Sequence, residues 1–243
     1  MTRRRWIADE VSGNRAALTG DHARHLARVL RARIGQEFDI STGAELRRGR
    51  IVKIDEERVE FELGEHAPHS PETDLSVALS IFKFDRMEWA IEKCVELGVA
   101  RILPLIAART DRSLASAATK RVERWRRIAQ QASEQSRRVS APEIPEPIRL
   151  EKLIAIAISG TTLAGGARIV LSETEGELML RDALSKPEDS ILLAFGPEGG
   201  WGEEELKAFR DGGWISASLG STILRSETSI IAALAITKSM IES

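Results

Sequence analysis

The segment Leu219–Ile241 contains the charged side chains whose placement most clearly favours chemistry. Arg225 and Glu227 bring opposite charges to one turn, directly before an almost wholly apolar helix. Ser226 and Thr228 can cap the N-terminus of that helix. A charged pair beside a buried helix start is a candidate functional site. The structural alternative is a capped helix with a surface ion pair, which contributes little to stability.

A second candidate is the glycine-rich turn that follows the apolar run Ile191–Phe195. In open α/β sheets, ligands bind outside the carboxyl ends of strands, where this turn is expected to lie. Its glycines allow close backbone approach and positive φ. They are Gly196, Gly199, Gly200 and Gly202. Their spacing matches neither the GxGxxG fingerprint nor a P-loop, and a plain strand-to-helix connection is the alternative.

Three carboxylates follow this turn and restrict what it could bind. Glu203–Glu205 occupy the first turn of the next predicted helix, where a phosphate would otherwise dock. They would repel that phosphate. We therefore expect a ligand that is neutral or cationic at this end, which disfavours ATP or NAD and permits an adenosine that carries a sulfonium.

The elements that would position these loops alternate between strands and helices, and this predicts an α/β fold with a parallel sheet covered on both faces. Strands are predicted at 75–82, 101–107, 168–172, 191–195 and 214–219, and helices at 86–97, 118–139 and 203–210; 153–159 is ambiguous. The final helix has no polar face between Ile230 and Ile236. It must therefore bury most of its circumference against the core or a second subunit.

Residues 1 to about 70 have a different pattern, which predicts a small, mostly β domain. A helix is expected at 21–32 and short strands at 37–41, 47–54 and 58–63. Strands this short and closely spaced are typical of a compact barrel. Residues 66–72, which include two prolines, are the predicted linker between the domains.

Charge is unevenly distributed in this chain of 243 residues and net charge -2. Residues 1–50 carry eleven Lys and Arg against six Asp and Glu, and 101–140 carry ten against three. Two basic blocks in a mildly acidic protein indicate a surface for a polyanion, with solvated helix faces as the alternative. Arg124, Arg127 and Arg138 lie on one stripe of the long predicted helix, where they could follow a phosphate backbone.

The remaining composition limits compartment and metal chemistry. Cys94 is the one cysteine, so an internal disulfide and a cysteine-cluster metal site are excluded, and its helical spacing predicts a buried thiol. The histidines stand in pairs three apart: His22 with His25, and His66 with His69. No carboxylate or cysteine cluster accompanies them, so we predict no metal site. No apolar segment is long enough to cross a membrane and no signal-peptide core follows Met1, so we predict a cytoplasmic protein.

Several motifs in matching order resemble one family over nearly the whole chain. The motifs are His25–Arg31, Lys83–Trp89, Glu96–Val99, Glu134–Arg138 with Pro142–Ile144, Gly196–Gly200 and Leu219–Thr228. Together they resemble the RsmE-type family, which comprises small-subunit ribosomal RNA uracil N3-methyltransferases of the SPOUT superfamily. The resemblance implies a PUA-like RNA-binding domain at 1–70. It also implies a SPOUT methyltransferase domain at 73–243, whose sheet ends in a trefoil knot that forms an S-adenosylmethionine pocket.

The same resemblance implies the function and the partners. The protein would use S-adenosylmethionine to methylate N3 of a specific uridine in 16S rRNA. Its partners would be the 16S rRNA or the small ribosomal subunit and a second copy of the chain, with no membrane and no metal. Dimer packing would explain the apolar final helix.

The site residues are transferred position by position. The cofactor would be bound by Leu171, Ser172, Gly196, Pro197, Glu198, Gly199, Gly200, Leu219, Gly220, Ile223, Leu224 and Thr228. RNA would be positioned by Arg28, Arg31, Lys83, Arg86, Arg109 and Arg138. For catalysis we expect Arg225 to stabilise the anion that develops on the uracil, and Glu227 or Glu198 to accept the N3 proton or orient the group that does. Ser221 and Thr222 stand where the family usually has Pro-Arg, which leaves one cation fewer for RNA or substrate.

Two alternatives remain at this point. One is a SPOUT methyltransferase that acts on another RNA position, such as a ribose hydroxyl. The other is a non-catalytic RNA-binding or ribosome-assembly factor that kept the fold. Binding of S-adenosylmethionine would separate an enzyme from such a factor.

Overall fold

The chain folds into two compact units. The computed structural model describes residues 5–43, 45–67, 74–136, 138–158, 166–185 and 190–241. Unit 1 comprises Met1–Pro71 with Gln130–Ala141, and unit 2 comprises Glu72–Ala129 with Pro142–Ser243. The domains predicted at 1–70 and 73–243 did not include the transfer of 130–141 to the first unit. Most of the predicted linker at 66–72, like His69, lies outside the described residues.

Unit 1 is built on a six-stranded sheet in the order β1-β4-β5-β6-β3-β2. Its strands are β1 (Arg5–Ile7), β2 (Glu10–Ser12), β3 (Arg15–Thr19), β4 (Glu37–Ser41), β5 (Leu46–Ile54) and β6 (Arg58–His66). Strand β1 pairs in parallel with β4, and the other pairs are antiparallel. The three predicted strands correspond to β4, β5 and β6, whereas β1 to β3 had not been predicted.

A short link between the two edge strands curls this sheet. Strands β1 and β2 lie at opposite edges but are separated in sequence by Ala8 and Asp9 alone. The N–H of Ala8 donates to the carbonyl of Ser41 at 2.9 Å, and the N–H of Asp9 donates to the carbonyl of Ala17 at 3.0 Å. The two edges are therefore drawn together, which agrees with the barrel-like sheet predicted for this region.

One helical segment packs against the sheet of unit 1 and is shorter than predicted. Helix α1 (Gly20–Arg24) continues into a π-helical turn at His25–Val29. Leu26 in this turn is fully buried in the core. The predicted helix at 21–32 ends early because Arg31 has a φ of +51°, the left-handed conformation with which helices commonly end.

Segment 130–141 is attached to unit 1 by both polar and apolar contacts. His22 Nε2 lies 3.0 Å from a carboxylate oxygen of Glu134, and its Nδ1 lies 3.0 Å from Asp9 Oδ1. The hydrogen bond to Glu134, assisted by Asp9, raises the pKa of His22 to about 9. Val139 packs in a buried cluster with Leu46. These contacts join residues distant in sequence, which periodicity does not reveal.

Unit 2 contains a six-stranded, wholly parallel sheet in the order β12-β10-β11-β7-β8-β9. Its strands are β7 (Asp74–Ser80), β8 (Arg101–Ile106), β9 (Ile148–Arg149), β10 (Ala167–Leu171), β11 (Ser190–Phe195) and β12 (Ile215–Ala217). Consecutive residues of β7 and β11 are buried, so both faces of the sheet are covered. The predicted parallel α/β architecture is confirmed.

The helices of unit 2 are α2 (Phe84–Glu96), α3 (Arg112–Ala117), the first part of α4 (Val122–Gln135), α5 (Leu150–Ile158), α6 (Leu180–Ala183), α7 (Glu203–Asp211) and α8 (Ser226–Ile241). Helices α2, α7 and α8 lie close to the predicted positions, α3 and α6 had not been predicted, and one predicted helix is an exception. Cys94 on α2 is fully buried, as predicted, and burial raises the pKa of its thiol. The ambiguous segment at 153–159 is part of α5. Within the described residues, no helix is long and apolar enough to span a bilayer.

The exception is the helix predicted at 118–139, which is wrong at both ends. A separate helix, α3, precedes it, because Asp111 caps α3 by accepting the N–H of Ser113 at 2.7 Å. A 3-10 turn at Ala118–Arg121 then leads into α4. Beyond Gln135, the Ser136 hydroxyl donates to the Ala132 carbonyl at 2.7 Å, a local bond that competes with helix continuation.

The basic stripe predicted on this helix is not continuous. Arg124 donates to both carboxylate oxygens of Glu88, at 2.6 and 2.7 Å. Arg138 is only 6% exposed. Arg127 is exposed. The residues of the stripe therefore have different surroundings, and a single phosphate-tracking face does not result.

Helix α8 is buried on one side only within this chain. Ile230, Ala233 and Leu234 are fully buried, whereas Ala235 is exposed and Met240 is 42% exposed. The prediction that most of the circumference is buried is thus not met by the core alone. The apolar positions left bare are those for which the sequence predicted a second subunit.

Candidate active site

Three strand ends bring the candidate loops to one edge of the sheet in unit 2. Leu171, the last residue of β10, pairs with Phe195 of β11 and with Ala217 of β12. The Ser172 N–H extends this arrangement by donating to the Ala217 carbonyl at 3.0 Å. The three loops that follow these strands therefore start side by side, as the parallel sheet requires.

These loops enclose a pocket that includes nine of the twelve predicted cofactor residues. The nine are Leu171, Ser172, Gly196, Pro197, Gly200, Leu219, Gly220, Ile223 and Leu224. The glycine turn and the segment before α8, far apart in sequence, thus line one cavity. We call residues 196–202 the glycine loop and residues 218–225 the arginine loop.

Trp201, the sixth residue of the glycine loop, anchors this loop to the end of β10 and to α7. Its ring Nε1 donates to the Leu171 carbonyl at 2.9 Å, and a Cβ at Gly196 would lie 3.2 Å from that same nitrogen. Trp201 also packs edge-to-face on Phe209 of α7, with ring centroids 4.9 Å apart. Gly200 has a φ of +68°, a conformation that favours glycine, and its N–H donates to Pro197 O at 2.9 Å.

The arginine loop is anchored at its first residue. The Ser218 hydroxyl donates to the Gly220 carbonyl at 3.2 Å and accepts the Gly220 N–H at 3.1 Å. Gly220 has a φ of +127°. Further along, Ile223 lines the pocket while 79% exposed. A large apolar side chain so exposed at a pocket mouth offers surface that a bound ligand can cover.

Three predicted cofactor residues do not line this pocket: Glu198, Gly199 and Thr228. Glu198 and Gly199 instead contact arginines that had been predicted to position RNA. Arg109 donates to the Gly199 carbonyl at 2.8 Å. Arg86 Nη1 donates to Glu198 Oε1 at 3.1 Å. Both arginines therefore support the glycine loop.

Arg86 also connects the glycine loop with the first turn of α8. Its Nε lies 3.9 Å from Glu227 Oε1, in addition to the bond with Glu198. The side chain of Glu227 is mostly buried, with 15% exposed, whereas 42% of the Glu198 side chain is exposed. The two carboxylates predicted to take part in catalysis thus share one guanidinium, a relation that their spacing in sequence does not indicate.

Arg225, the predicted anion-stabilising residue, is exposed at the end of the arginine loop. Its carbonyl accepts the Ser229 N–H at 2.8 Å in the first turn of α8, which fixes the backbone and leaves the side chain facing solvent.

Three of the residues predicted to position RNA are exposed, as an RNA contact requires: Lys83, Arg28 and Arg31. Arg28 also pairs with Glu56 at 3.2 Å. Arg138 is buried, so it offers little surface to RNA.

The three carboxylates of the first turn of α7 separate into two kinds. Glu205 is 7% exposed and accepts the N–H of Gly202 at 2.9 Å and that of Ala108 at 2.8 Å. It therefore caps the helix and ties it to the end of β8. Glu203 and Glu204 are exposed, so two carboxylates rather than three face an incoming anion.

Sequence reasoning missed half of the pocket lining. The residues missed are Glu173, Phe195, Trp201, Ala217, Ser218, Ser221, Thr222, Ser226 and Ser229. Seven of the nine directly precede or follow a predicted cofactor residue, so extending each predicted stretch by one position would have found those seven. Among the described residues, no group of three or more His, Cys, Asp and Glu side chains is placed to hold a metal.

Comparison with known proteins agrees with this arrangement. Residues 69–238 match the family described as RNA methyltransferase domain, and residues 18–64 match the RNA methyltransferase PUA domain. The chain is 30% identical to ribosomal RNA small subunit methyltransferase E of Mycobacterium bovis, over 92% of this chain and 86% of that protein. It is 31% identical to the protein of that name from Synechocystis sp., over 93% and 73% of the two chains.

A solved structure shows the same likeness. The crystal structure of ribosomal RNA small subunit methyltransferase E from Neisseria gonorrhoeae, bound to S-adenosyl methionine, superimposes with a TM-score of 0.82 at 28% identity. The match covers 98% of this chain and 97% of that one. Fold and site together define an RNA methyltransferase with an attached PUA domain. Within that class, the chain belongs to the ribosomal RNA small subunit methyltransferase E family, which confirms the resemblance drawn from its motifs.

Proposed function

We propose that the protein transfers the methyl group of S-adenosylmethionine to N3 of a specific uridine in 16S rRNA. The observation that carries this proposal is the pocket at the ends of β10, β11 and β12, which is lined by the glycine loop and the arginine loop. The names of its relatives support small-subunit rRNA as the substrate class, and the bound ligand of the Neisseria gonorrhoeae structure supports the methyl donor.

The residues of the pocket suit such a donor. S-adenosylmethionine, when bound, supplies an electrophilic methyl group on a positively charged sulfur. Leu171, Leu219, Ile223 and Leu224 provide apolar surface for an adenosine. No lysine or arginine is among the described lining residues, so a cationic sulfonium meets no like charge there.

The acceptor makes a different demand on the chain. The N3 proton of uracil must leave before or during attack, and negative charge then spreads onto the neighbouring carbonyl oxygens. Arg225, exposed at the end of the arginine loop, stabilises that charge in our proposal. Glu227 or Glu198 accepts the proton or orients the group that does, and Arg86 keeps both carboxylates in place. Because N3 lies on the pairing edge, the base has to be unpaired or flipped out.

RNA binding is assigned to exposed cations in both units. Arg28 and Arg31 in unit 1 and Lys83 in unit 2 are exposed, and unit 1 contains the segment that matches a PUA domain. Contacts of this type fix the position of a substrate through its phosphates. They also make binding weaken as salt rises. Arg86 and Arg109 are assigned to loop support in this proposal.

We also propose that the protein is a homodimer, that its methyltransferase domain contains a trefoil knot and that it is located in the cytoplasm. The apolar positions of α8 that the core leaves uncovered support the dimer, since burying them would remove apolar surface from water. The knot would bring the glycine loop and the arginine loop together around the donor. Light scattering of the purified protein tests the dimer directly, and a monomer at micromolar concentration would contradict it.

The methylated product tests the function itself. Small subunits purified from a strain that lacks the enzyme are incubated with the protein and S-adenosylmethionine, and their nucleosides are separated by mass spectrometry. We expect 3-methyluridine, formed by the wild type and not by Arg225→Ala. A methylated ribose would point to another RNA position, and donor binding without any methylated nucleoside on rRNA or subunits would contradict the proposal.

A further inference from the structure

Glu173 has a distinctive place in the pocket. Among the described lining residues it is the only one with an ionisable side chain; the others are apolar, glycine, proline or hydroxyl-bearing, together with Trp201. Glu173 follows directly after Ser172 at the end of β10. The pocket therefore has one potential formal charge, and that charge is negative.

The Glu173 carboxylate reaches across to the glycine loop. An added Cβ at Gly200 would lie 2.7 Å from Glu173 Oε1. The carboxylate thus occupies space that a side chain at residue 200 would take. Within the part of the chain that the structure describes, Glu173 has neither an ion pair nor a hydrogen-bond partner, so its charge is available to a ligand.

The loop that carries Glu173 is held on both sides of it. The buried Ser172 hydroxyl lies 2.8 Å from the Thr174 hydroxyl. Glu175 accepts the N–H of Glu177 at 2.9 Å and that of Leu178 at 3.2 Å. These two backbone hydrogen bonds lower the pKa of the Glu175 carboxyl. Glu175 therefore has a structural role, whereas its neighbour Glu173 faces the pocket.

The methyl donor and its product differ by one charge. S-adenosylmethionine carries a sulfonium, an ammonium and a carboxylate, with a net charge of +1, whereas S-adenosylhomocysteine has lost the sulfonium charge and is neutral overall. We infer that Glu173 is a specificity-determining residue that favours the cationic donor over the neutral product. The inference rests on the proposed function. It gives the pocket a means of releasing product after each turnover.

A contact with the ribose or the ammonium group would have a different consequence. Both groups are present in donor and product, so losing such a contact would weaken both ligands equally. The ratio of the two dissociation constants therefore isolates the effect of the sulfonium charge. Sinefungin, which carries a protonated amine near the position of the sulfonium, should behave like the donor.

The experiment is calorimetric titration of the full-length protein with these three ligands. For Glu173→Gln we expect binding of S-adenosylmethionine and sinefungin to weaken roughly three- to tenfold, because one partly solvated charge pair is lost. Binding of S-adenosylhomocysteine should change by less than about twofold, and the difference should shrink at high salt. Glu173→Asp, which keeps the charge, should restore most of the preference. Glu177→Gln removes an exposed carboxylate from the same loop outside the pocket lining and should change no ratio.

The outcomes distinguish this inference from the proposed function. Equal weakening of donor and product in Glu173→Gln, or no change in either, would overturn the role of Glu173. A wild-type protein that binds none of the three ligands would overturn the proposed function instead. Matching thermal melts of the variants would show that the fold is retained.

Discussion

The two loops that enclose the pocket are secured in different ways. The glycine loop rests on the buried Trp201 ring and is tied from outside by Arg109 and Arg86. The arginine loop is bonded at its ends, by Ser218 to Gly220 and by Ser229 to Arg225. Between these ends, residues 221–224 make no hydrogen bond within the described part of the chain.

The glycine loop is therefore preformed before a ligand binds, whereas the conformation of the arginine loop depends more on the bound ligand. A loop fixed by buried aromatic packing and several hydrogen bonds has little conformational freedom left to lose on binding, which favours affinity. Exposed segments with few bonds open at low cost and commonly belong to ligand-binding elements. We therefore expect changes in the glycine loop to alter folding stability, and changes in the arginine loop to alter ligand binding and catalysis.

Trp201→Ala should give the largest effect and should act on stability. The side chain is 8% exposed, packs on Phe209 and donates to Leu171, so its removal should cost roughly 3–5 kcal/mol of unfolding free energy. Urea denaturation followed by circular dichroism measures this cost. Trp89→Ala, which removes a 44% exposed tryptophan from α2, is the control and should cost less than about 1 kcal/mol. An equal loss of unfolding free energy in the two variants would contradict the conclusion that Trp201 anchors the glycine loop.

The role of Trp201 also shows where prediction from the sequence ends. The glycine loop was predictable because an apolar strand followed by glycines indicates a particular site at the edge of a parallel sheet. From the sequence alone, the side chain of an aromatic residue after those glycines could be exposed to solvent or buried in the core. Its contact with Phe209 depends on where α7 packs, which is a property of the whole fold.

Charged residues show the same limit more strongly. Arg86 and Arg109 were predicted to bind RNA, which stays a prediction, and their contacts with the glycine loop had not been predicted. An arginine has the same sequence signature whether its partner is a phosphate or a carboxylate. By contrast, strands β4 to β6 and five of the six strands of the parallel sheet were predicted, because local periodicity and turn residues indicate them. The grouping of segment 130–141 with unit 1 was not predicted, because its contacts with His22 and Leu46 are long-range.

Arg225→Ala should abolish most of the activity without affecting the fold. Removal of a group that stabilises developing negative charge costs about 10²–10³ in turnover. Because Arg225 is exposed, we expect the unfolding free energy to change by less than about 0.5 kcal/mol. Donor affinity should stay within about twofold by calorimetry. Arg210→Ala removes an equal charge from the exposed end of α7 and should remain active. A fully active Arg225→Ala variant would remove this residue from the mechanism.

Arg86→Ala tests whether the glycine loop and the first turn of α8 act together. Glu198 and Glu227 would lose their shared guanidinium, and we expect turnover to fall by about tenfold, in the lower range for loss of a group that positions catalytic residues. Steady-state kinetics separate this role from RNA contact, because an RNA-positioning arginine would raise KM for RNA and leave kcat unchanged. Arg86→Lys should restore activity only in part, since an ammonium does not reproduce the forked guanidinium. The matched control is Arg124→Ala, which breaks the ion pair between Arg124 of α4 and Glu88 of α2, the helix that carries Arg86.

Ile223→Ala should give the smallest effect and the clearest contrast with Trp201→Ala. The side chain lines the pocket but is 79% exposed, so the unfolding free energy should change by less than about 0.5 kcal/mol. Covering such a side chain with a bound ligand stabilises the complex by about 1 kcal/mol, and its loss should weaken donor binding by roughly fivefold. Calorimetry and urea denaturation of the same preparation measure the two quantities together. A lower unfolding free energy without a change in donor affinity would mean that the arginine loop contributes to stability as the glycine loop does. That result would contradict the proposed difference between the two loops.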